Sequence, residues 1–477
     1  MSPKVKSDAH LEVPSRDDVC ALIDKAEEGM LECWNTLFGE KSGPEEDVAD
    51  SLIHVQSRLA ETMYPLNEMH RAIHRAKNEL IALKSTIQPE WFGTQLALLG
   101  HFDEWIGDAI LIVKAMGDSF AWHFCEHGKA LLPMHGQHPS TFHIPGGLGG
   151  EGELSLIHDF PILRGHFVLY HNITSILRAG DISLVDLASG RVAAIAEIKT
   201  ISNVEGRMKV EMYFISPANS QSFPTGPADQ KVVSSLPRDM VERLGRQLKK
   251  IAHVFSPPRP GVSIPLSRDS TMSAFRALGR RLKTDAFATE QCGTSIVLLG
   301  IRNDGYASLS QRILCKMDAN HKAAIARLNE QNVGAIIDNS RADILNRLEV
   351  GHFDFSPMPG RAPALVWPVD RSFLKSLLFH ENDIITLFNP AHLLRKIKDA
   401  GFDVTKCGEG KLPYRISKVV GDRTFRIDHW EYFCRLVSRS FVSVDAVVRM
   451  LNEMVASIET GKAVRGQPIE LTIQLEV

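Results

Sequence analysis

Apolar residues recur every three or four positions through VCALIDKAEEGMLECWNTLF, LAETMYPLNEMHRAIHRAKNELIALKS and EWIGDAILIVKAMGDSFAWHF, a spacing that predicts amphipathic helices from about Arg16 to His127. Pro65 falls early in the second of these and predicts a helix start or a kink. A connector rich in Gly, Pro and His follows between Gly128 and Gly152, closing on IPGGLGGEG, a strong break signal. The period then changes. After a short helix predicted over GELSLIHDF, apolar and β-branched runs of strand length follow in HFVLYHNITSIL, GDISLVDL, RVAAIAEIKT and KVEMYFISP. The polar loop ANSQSFPTGPADQ leads into SSLPRDMVERLGRQLKKIAHVF, which has the spacing of a long amphipathic helix.

Helix, strands, helix predicts an α/β (α+β) unit on a mixed central sheet flanked by helices. A second loop, SPPRPGVSIPLSRDS, precedes SAFRALGRRLKTDAF and the apolar strand TSIVLLGI. The remainder alternates helix-like pieces (HKAAIARLNEQN, NPAHLLRKIKDAGF, SVDAVVRMLNEMVASIETG) with strand-like ones (FRIDHWEYF, IELTIQLEV). The expected division is a helical N-terminal region over 1–130, a core over 131–260 and an α/β C-terminal region over 261–477, the last an elaboration of the core or a domain of its own. The length of 477 residues fits that division, because one hydrophobic core seldom grows past roughly 250–300 residues.

Charge narrows the partners only locally. A net charge of −3 gives no global polycationic signature, so any nucleic-acid contact must rest on clusters of Lys and Arg. Seven scattered cysteines with no CxxC pair predict reduced thiols, and no apolar run has signal-peptide or membrane-span character; a cytoplasmic protein without membrane contact is expected.

The chemistry concentrates in GDISLVDLASGRVAAIAEIKT, from Gly180 to Thr200. Ser189-Gly190 predicts a hairpin turn, and VAAIAEIKT reads as a central strand covered on both faces. Glu197 and Lys199, two apart, then share a face at the end of a buried strand, where each is costly unless paired, metal-bound or wet. If the strands pair, Asp181 can converge with Glu197, and a divalent cation relieves the repulsion of two such carboxylates. Asp186 is the rival acid, but its place by the turn reads as an exposed turn carboxylate.

These residues resemble the PD-(D/E)xK, or restriction-endonuclease-like, nuclease superfamily: Asp181 matches the first acid and Glu197-Ile198-Lys199 the triplet, with Gly180 where the family's name has Pro. Two other (D/E)xK matches, at Asp229 and Glu409, lie in predicted loops. The resemblance covers roughly residues 150–255 and implies a Mg2+- or Mn2+-dependent nuclease acting on nucleic acid, DNA before RNA, with a role in restriction or phage defence. It implies Asp181 and Glu197 as metal ligands and Lys199 as the group that orients water or stabilises charge. As auxiliary residues it implies Glu153 (rival Glu151) on the preceding helix and Gln247 (rival Lys250) on the following one.

Other constellations compete. His123, Cys125, His127, His135, His138 and His143 invite a zinc reading, although one thiol and irregular spacing fit no strong template. His171, Asn172, Thr174 and Arg178 read equally as phosphate contacts or as the polar face of a strand. Basic clusters at Arg243, Arg246, Lys249 and Lys250, at Arg276, Arg280, Arg281 and Lys283, and at Arg395, Lys396 and Lys398 could track a phosphate backbone or be solvated helix faces. The helical N-terminal region is the expected surface for a second copy of the chain or a partner protein. The alternative to an enzyme is a nuclease-like scaffold that binds nucleic acid or protein without cutting.

Overall fold

The computed structural model describes residues 13–39, 48–125, 131–136, 138, 144–202, 208–217, 238–255, 261–267, 269–292, 295–315, 349–355, 362–407, 414–421, 423–427, 430–459 and 470–476. The chain divides into two compact units, the first made of 1–257 with 308–314 and 363–365, the second of the remainder.

Three long helices, α1 (Arg16–Phe38), α2 (Val48–Ala82) and α3 (Pro89–Cys125), realise the predicted helical region. The first opens on a capping box, in which Ser15 accepts from Asp18 N–H and Asp18 answers the Ser15 backbone. Pro65 neither starts nor ends α2; the helix runs through it. A short α4 (Leu131–Gly136) and then α5 (Leu148–Asp159) follow. Of the glycine run expected to break the chain, Gly146 and Gly147 precede α5 and Gly147 is its N-cap, whereas Gly149, Gly150 and Gly152 lie inside the helix, where Gly152 permits close approach. A Cβ at Gly152 would stand 2.2 Å from Thr200 Oγ1, so only a residue without one lets the helix lie this close to the sheet.

The sheet is a five-stranded meander, β1 (Ile162–Leu163), β2 (His166–Tyr170), β3 (Ile182–Asp186), β4 (Arg191–Ser202) and β5 (Met208–Ile215), in sequence order. Every pairing in it is antiparallel, which corrects the expected mixed sheet. The physical reason is connectivity: short links between successive strands give antiparallel neighbours, whereas a parallel neighbour needs a crossover. The helix that could have served as one, α6 (Arg238–Val254), packs Leu244, Leu248 and Ile251 against Ile195 and Ile215 of the sheet.

Strand β2 is shorter than predicted. Its partner β1 reaches only Phe167, and the open edge beyond is closed by a side chain: the buried Gln56 of α2 donates Nε2–H to the Val168 carbonyl at 2.7 Å and accepts from Tyr170 N–H at 2.8 Å. Residues 171–179 form a loop, not the polar face of a strand, and nearly all of it is buried. Its backbone is satisfied by α3, where Asp118 accepts from Ile176 N–H at 3.0 Å and Lys114 donates to the Thr174 carbonyl at 3.0 Å. Burial pushes the Asp118 carboxyl up to about 6 and pulls the Lys114 ammonium down to about 8.

Segment 308–314 belongs to the first unit. There α8 (Leu309–Cys315), the next helix but one in the chain, receives Glu27 and Asp24 of α1 on the backbone N–H groups of Leu309 and Ser310, at 2.8 and 2.9 Å.

In the second unit, β7 (Phe287–Cys292), β8 (Ile296–Arg302), β10 (Asn382–Phe388) and β9 (Glu349–His352) form an antiparallel sheet. Helix α7 (Asp269–Arg281) brings Phe275 into an aromatic cluster with Phe353, Trp367, Phe373 and Phe441. The stretch predicted as the loop SPPRPGVSIPLSRDS contains β6 (Gly261–Ser267), paired in parallel with β14 (Glu470–Glu476). FRIDHWEYF is divided between a strand, Arg423–Ile427, and a helix, Glu431–Ser440. HKAAIARLNEQN lies outside the described residues.

The dependence of β2 on a side-chain amide is measurable. Gln56→Leu leaves the Val168 carbonyl and the Tyr170 N–H buried without partners, and is expected to lower stability by about 2–4 kcal/mol, read as a lower urea midpoint.

Candidate functional site

Strand register brings the predicted acids together. Ile182 pairs with Ala196, so Asp181, one residue before β3, comes opposite Glu197, and its N–H donates to the Ala196 carbonyl at 2.8 Å. The residue before it, Gly180, has φ +77° and would put a Cβ 2.5 Å from Ile195. Proline, with φ fixed near −65°, cannot take that conformation. This is the physical reason that glycine and not proline precedes Asp181.

Along β4, Ile195 packs against α6, so by alternation Glu197 and Lys199 lie on the α6 side while Thr200 meets α5 on the other. The triplet is therefore covered by a helix on each face, and it sits within β4 rather than at its end, the strand continuing to Ser202. Lys199 Nζ donates to Glu197 Oε1 at 2.6 Å.

Of the two auxiliary acids considered, Glu153 points inward and is buried, whereas Glu151 is exposed. Glu153 Oε2 accepts from the Tyr170 hydroxyl at 2.6 Å and from Asn172 Nδ2 at 2.8 Å. Asp181 Oδ2 accepts from Ile198 N–H at 2.7 Å. The second oxygens of Glu153, Asp181 and Glu197 accept no hydrogen bond among the described residues.

Glu153 from the α5 side and Glu197 and Lys199 from the α6 side act on one another and on Asp181 through a poorly hydrated interior, and the protonation equilibria register it. Burial pushes the Glu153 carboxyl up to about 7, with the charge of Glu197 adding to the shift and Lys199 opposing it. Burial, then the charges of Glu153 and Glu197, hold the Asp181 carboxyl well above the usual carboxylate range. With all three acids ionised, Lys199 leaves two negative charges uncompensated. Such a donor set, all oxygen and net anionic, suits a hard divalent cation. Across the β4–β5 pairing, Lys199 faces Glu211, whose carboxylate accepts from Tyr213 Oη at 2.6 Å.

Asp186 ends β3 beside the turn, half-buried rather than exposed as expected, and accepts from Ala188 N–H at 3.1 Å and Ser189 Oγ at 2.7 Å. Those bonds hold its carboxyl below the usual range. Asp229 and Glu409 lie outside the described residues.

Gln247 lies on α6, over the face bearing the triplet. Its Oε1 is shielded from solvent without a hydrogen-bond partner, and it makes no bond to Asp181, Glu197 or Lys199 among the described residues. Arg243, Arg246, Lys249 and Lys250 are exposed on the same helix. Arg178 is spent on the loop, donating to the carbonyls of Ser175 and His138 at 2.8 and 3.3 Å. Arg280 and Arg281 belong to the second unit, where Arg281 donates to the Thr289 carbonyl at 2.8 Å.

The loop polar residues serve structure. His171 Nδ1 faces the Gly180 carbonyl at 3.0 Å and must carry the proton there, so Nε2 accepts from Ser183 Oγ at 2.6 Å. Burial pulls its pKa down to about 4, and the ring stays neutral. In the histidine-rich segment, His135 Nδ1 accepts from Arg178 and Ala179 N–H at 3.1 and 3.2 Å. His127 and His143 fall outside the described residues, as does the Cys125 side chain. Among the described residues, the set of potential metal ligands whose donor atoms all lie within 4.8 Å of one another is a different one, His70, His74 and Asp103.

Sequence reasoning missed Tyr170, the hydroxyl that holds Glu153, because a tyrosine in an apolar run reads as core. It also missed His70 and His74, whose i, i+4 spacing was a readable signal, and Asp103, for which the sequence offers none. Comparison with known protein families, curated proteins and solved structures finds no match.

Because the Glu153 carboxyl ionises at higher pH in the folded chain than its ordinary 4.5, the folded state binds the extra proton between those values. Stability from this residue is full below pH about 4.5 and is lost as pH rises through about 7. Glu153→Gln is expected to flatten that part of the profile of melting temperature against pH, measured without divalent cations.

Proposed function

We propose that the chain is a Mg2+-dependent phosphodiesterase that hydrolyses nucleic acid, DNA in preference to RNA, on a restriction-endonuclease-like arrangement of α5, β3, β4 and α6. The observation that carries this reading is the strand register that brings Asp181 opposite Glu197, with Lys199 on Glu197 at 2.6 Å and the charges of Glu153 and Glu197 acting on Asp181.

Asp181 and Glu197 would hold the cation, Mg2+ or Mn2+, which supplies Lewis-acid polarisation of a phosphate oxygen and a lower pKa for bound water. The residues do the rest. The Ile198 N–H fixes one oxygen of Asp181 and leaves the other for a ligand. Lys199, lying on Glu197 at 2.6 Å, is placed to swing its ammonium onto an attacking water or onto the charge that grows on the phosphate. Glu153, tethered by Tyr170 and Asn172, sets how much negative charge the site carries and can take up a proton near neutral pH. The exposed Arg243, Arg246 and Lys250 on α6 offer a sequence-independent hold on the phosphate backbone.

The test uses the full chain with plasmid, linear and single-stranded substrates in Mg2+, Mn2+ or EDTA. Wild type is expected to cut with metal only. Asp181→Ala, Glu197→Ala and Lys199→Ala should each lose on the order of 100-fold or more, while Asp186→Ala retains activity. Cleavage that survives in Lys199→Ala, or a wild type silent on every substrate, would defeat the assignment.

A further inference from the structure

On α2, His70 and His74 lie one helical turn apart and their rings stack edge to face at 4.5 Å, so both imidazoles occupy one stripe of the helix surface. Opposite them on α3 stands Asp103. Its Oδ1 is 3.0 Å from His70 Nε2 and 3.3 Å from His74 Nε2. Despite that proximity Oδ1 accepts no hydrogen bond among the described residues, and it is shielded from water. The other oxygen is occupied, since Lys77 Nζ donates to Oδ2 at 2.8 Å.

A buried carboxylate oxygen set between two imidazole nitrogens, and accepting an aligned hydrogen bond from neither, has the outline of a site for a central ion. Around a tetrahedral zinc ion with bonds of about 2.0–2.1 Å, neighbouring ligand atoms stand roughly 3.3 Å apart. The two nitrogen–oxygen separations match that edge, and all three donor atoms fall within 4.8 Å of one another. The donor types match too: imidazole nitrogens favour zinc and its transition-metal neighbours over Mg2+. Lys77 plays the outer partner that a ligating carboxylate usually has, fixing Asp103 through the oxygen that faces away. His74, half exposed at 51%, gives the ion a way in and leaves a fourth position for water.

We propose that His70, His74 and Asp103 form a zinc-class site that clamps α2 to α3, independent of the acidic cluster on the sheet. Each ligand comes from a helix of the same compact unit, so an ion here would stiffen the helical region without touching Asp181 or Glu197.

The experiment is a titration of the full, EDTA-stripped chain with Zn2+ by calorimetry and with Co2+ by visible absorption, in excess Mg2+ so that the hard-ligand cluster does not compete. Wild type should take up one equivalent, show the intense d–d bands of four-coordinate cobalt, and melt at higher temperature with Zn2+. His74→Ala, an exposed position that leaves the fold intact, and Asp103→Asn should each weaken binding at least about tenfold, the range already seen for outer-sphere changes alone. Asp181→Asn should bind as wild type does, which separates this site from the nuclease reading. Absence of binding in wild type, equal binding in His74→Ala with its circular dichroism unchanged, or loss of the cobalt bands in Asp181→Asn alone would overturn the proposal.

Discussion

Two buried carboxylates and a third, half-buried one beside a single ammonium set the terms for the first unit. Glu153, Asp181 and Glu197 repel one another through a medium that screens poorly, so everything around them must keep them close against that repulsion. Two of them are tied by hydrogen bonds that do not neutralise them, Tyr170 and Asn172 on Glu153 and the Ile198 N–H on Asp181, while Glu197 pairs with Lys199. The cost is visible in the two raised carboxyl equilibria. A cluster kept in this state stores a demand for positive charge, which distinguishes it from the Lys209–Glu211 pair at 2.6 Å on the neighbouring strand, where one charge meets one charge near solvent.

Two glycines make that closeness geometrically possible. Gly180 turns the chain through a positive φ so that Asp181 enters opposite Glu197, and Gly152 lets α5 lie on Thr200 so that Glu153 reaches inward. Around them the polar groups are buried and paired rather than excluded. Gln56 completes β2, Asp118 and Lys114 satisfy the loop leading to β3, and a neutral His171 bridges Gly180 and Ser183. Such a network specifies one arrangement, because every alternative leaves a buried group unpaired.

Much of this was legible in the chain. The 3.6-residue period placed α1 to α3, α6 and the last long helix, and the alternation and turn residues placed β3 and β4, with Asp181 just before the first and the triplet within the second. The preference for Asp181 over Asp186 followed from distance to the Ser189-Gly190 turn, and Asp186 does bond within that turn, to Ala188 N–H and the Ser189 hydroxyl. Where prediction failed, a tertiary contact had outweighed a local signal. IPGGLGGEG reads as a break because glycine weakens helices, and the chain does break up to Gly147, yet α5 then takes in Leu148–Gly152, where Gly152 meets Thr200 of β4. GVSIPLS reads as loop because of its proline, yet it pairs with Glu470–Glu476, some two hundred residues away in the chain.

Sequence by itself determined which elements form and which charged residues lie on them, since periodicity, capping and turn chemistry act over a few residues. Only the tertiary structure decided that the central sheet is a pure antiparallel meander, that Glu153 and not Glu151 faces the acids, and that His171 is a neutral strut. It alone brought Asp103 to His70 and His74. Those outcomes depend on which surfaces meet across long separations in the chain, where burial and the matching of donors to acceptors choose among arrangements that are locally equivalent.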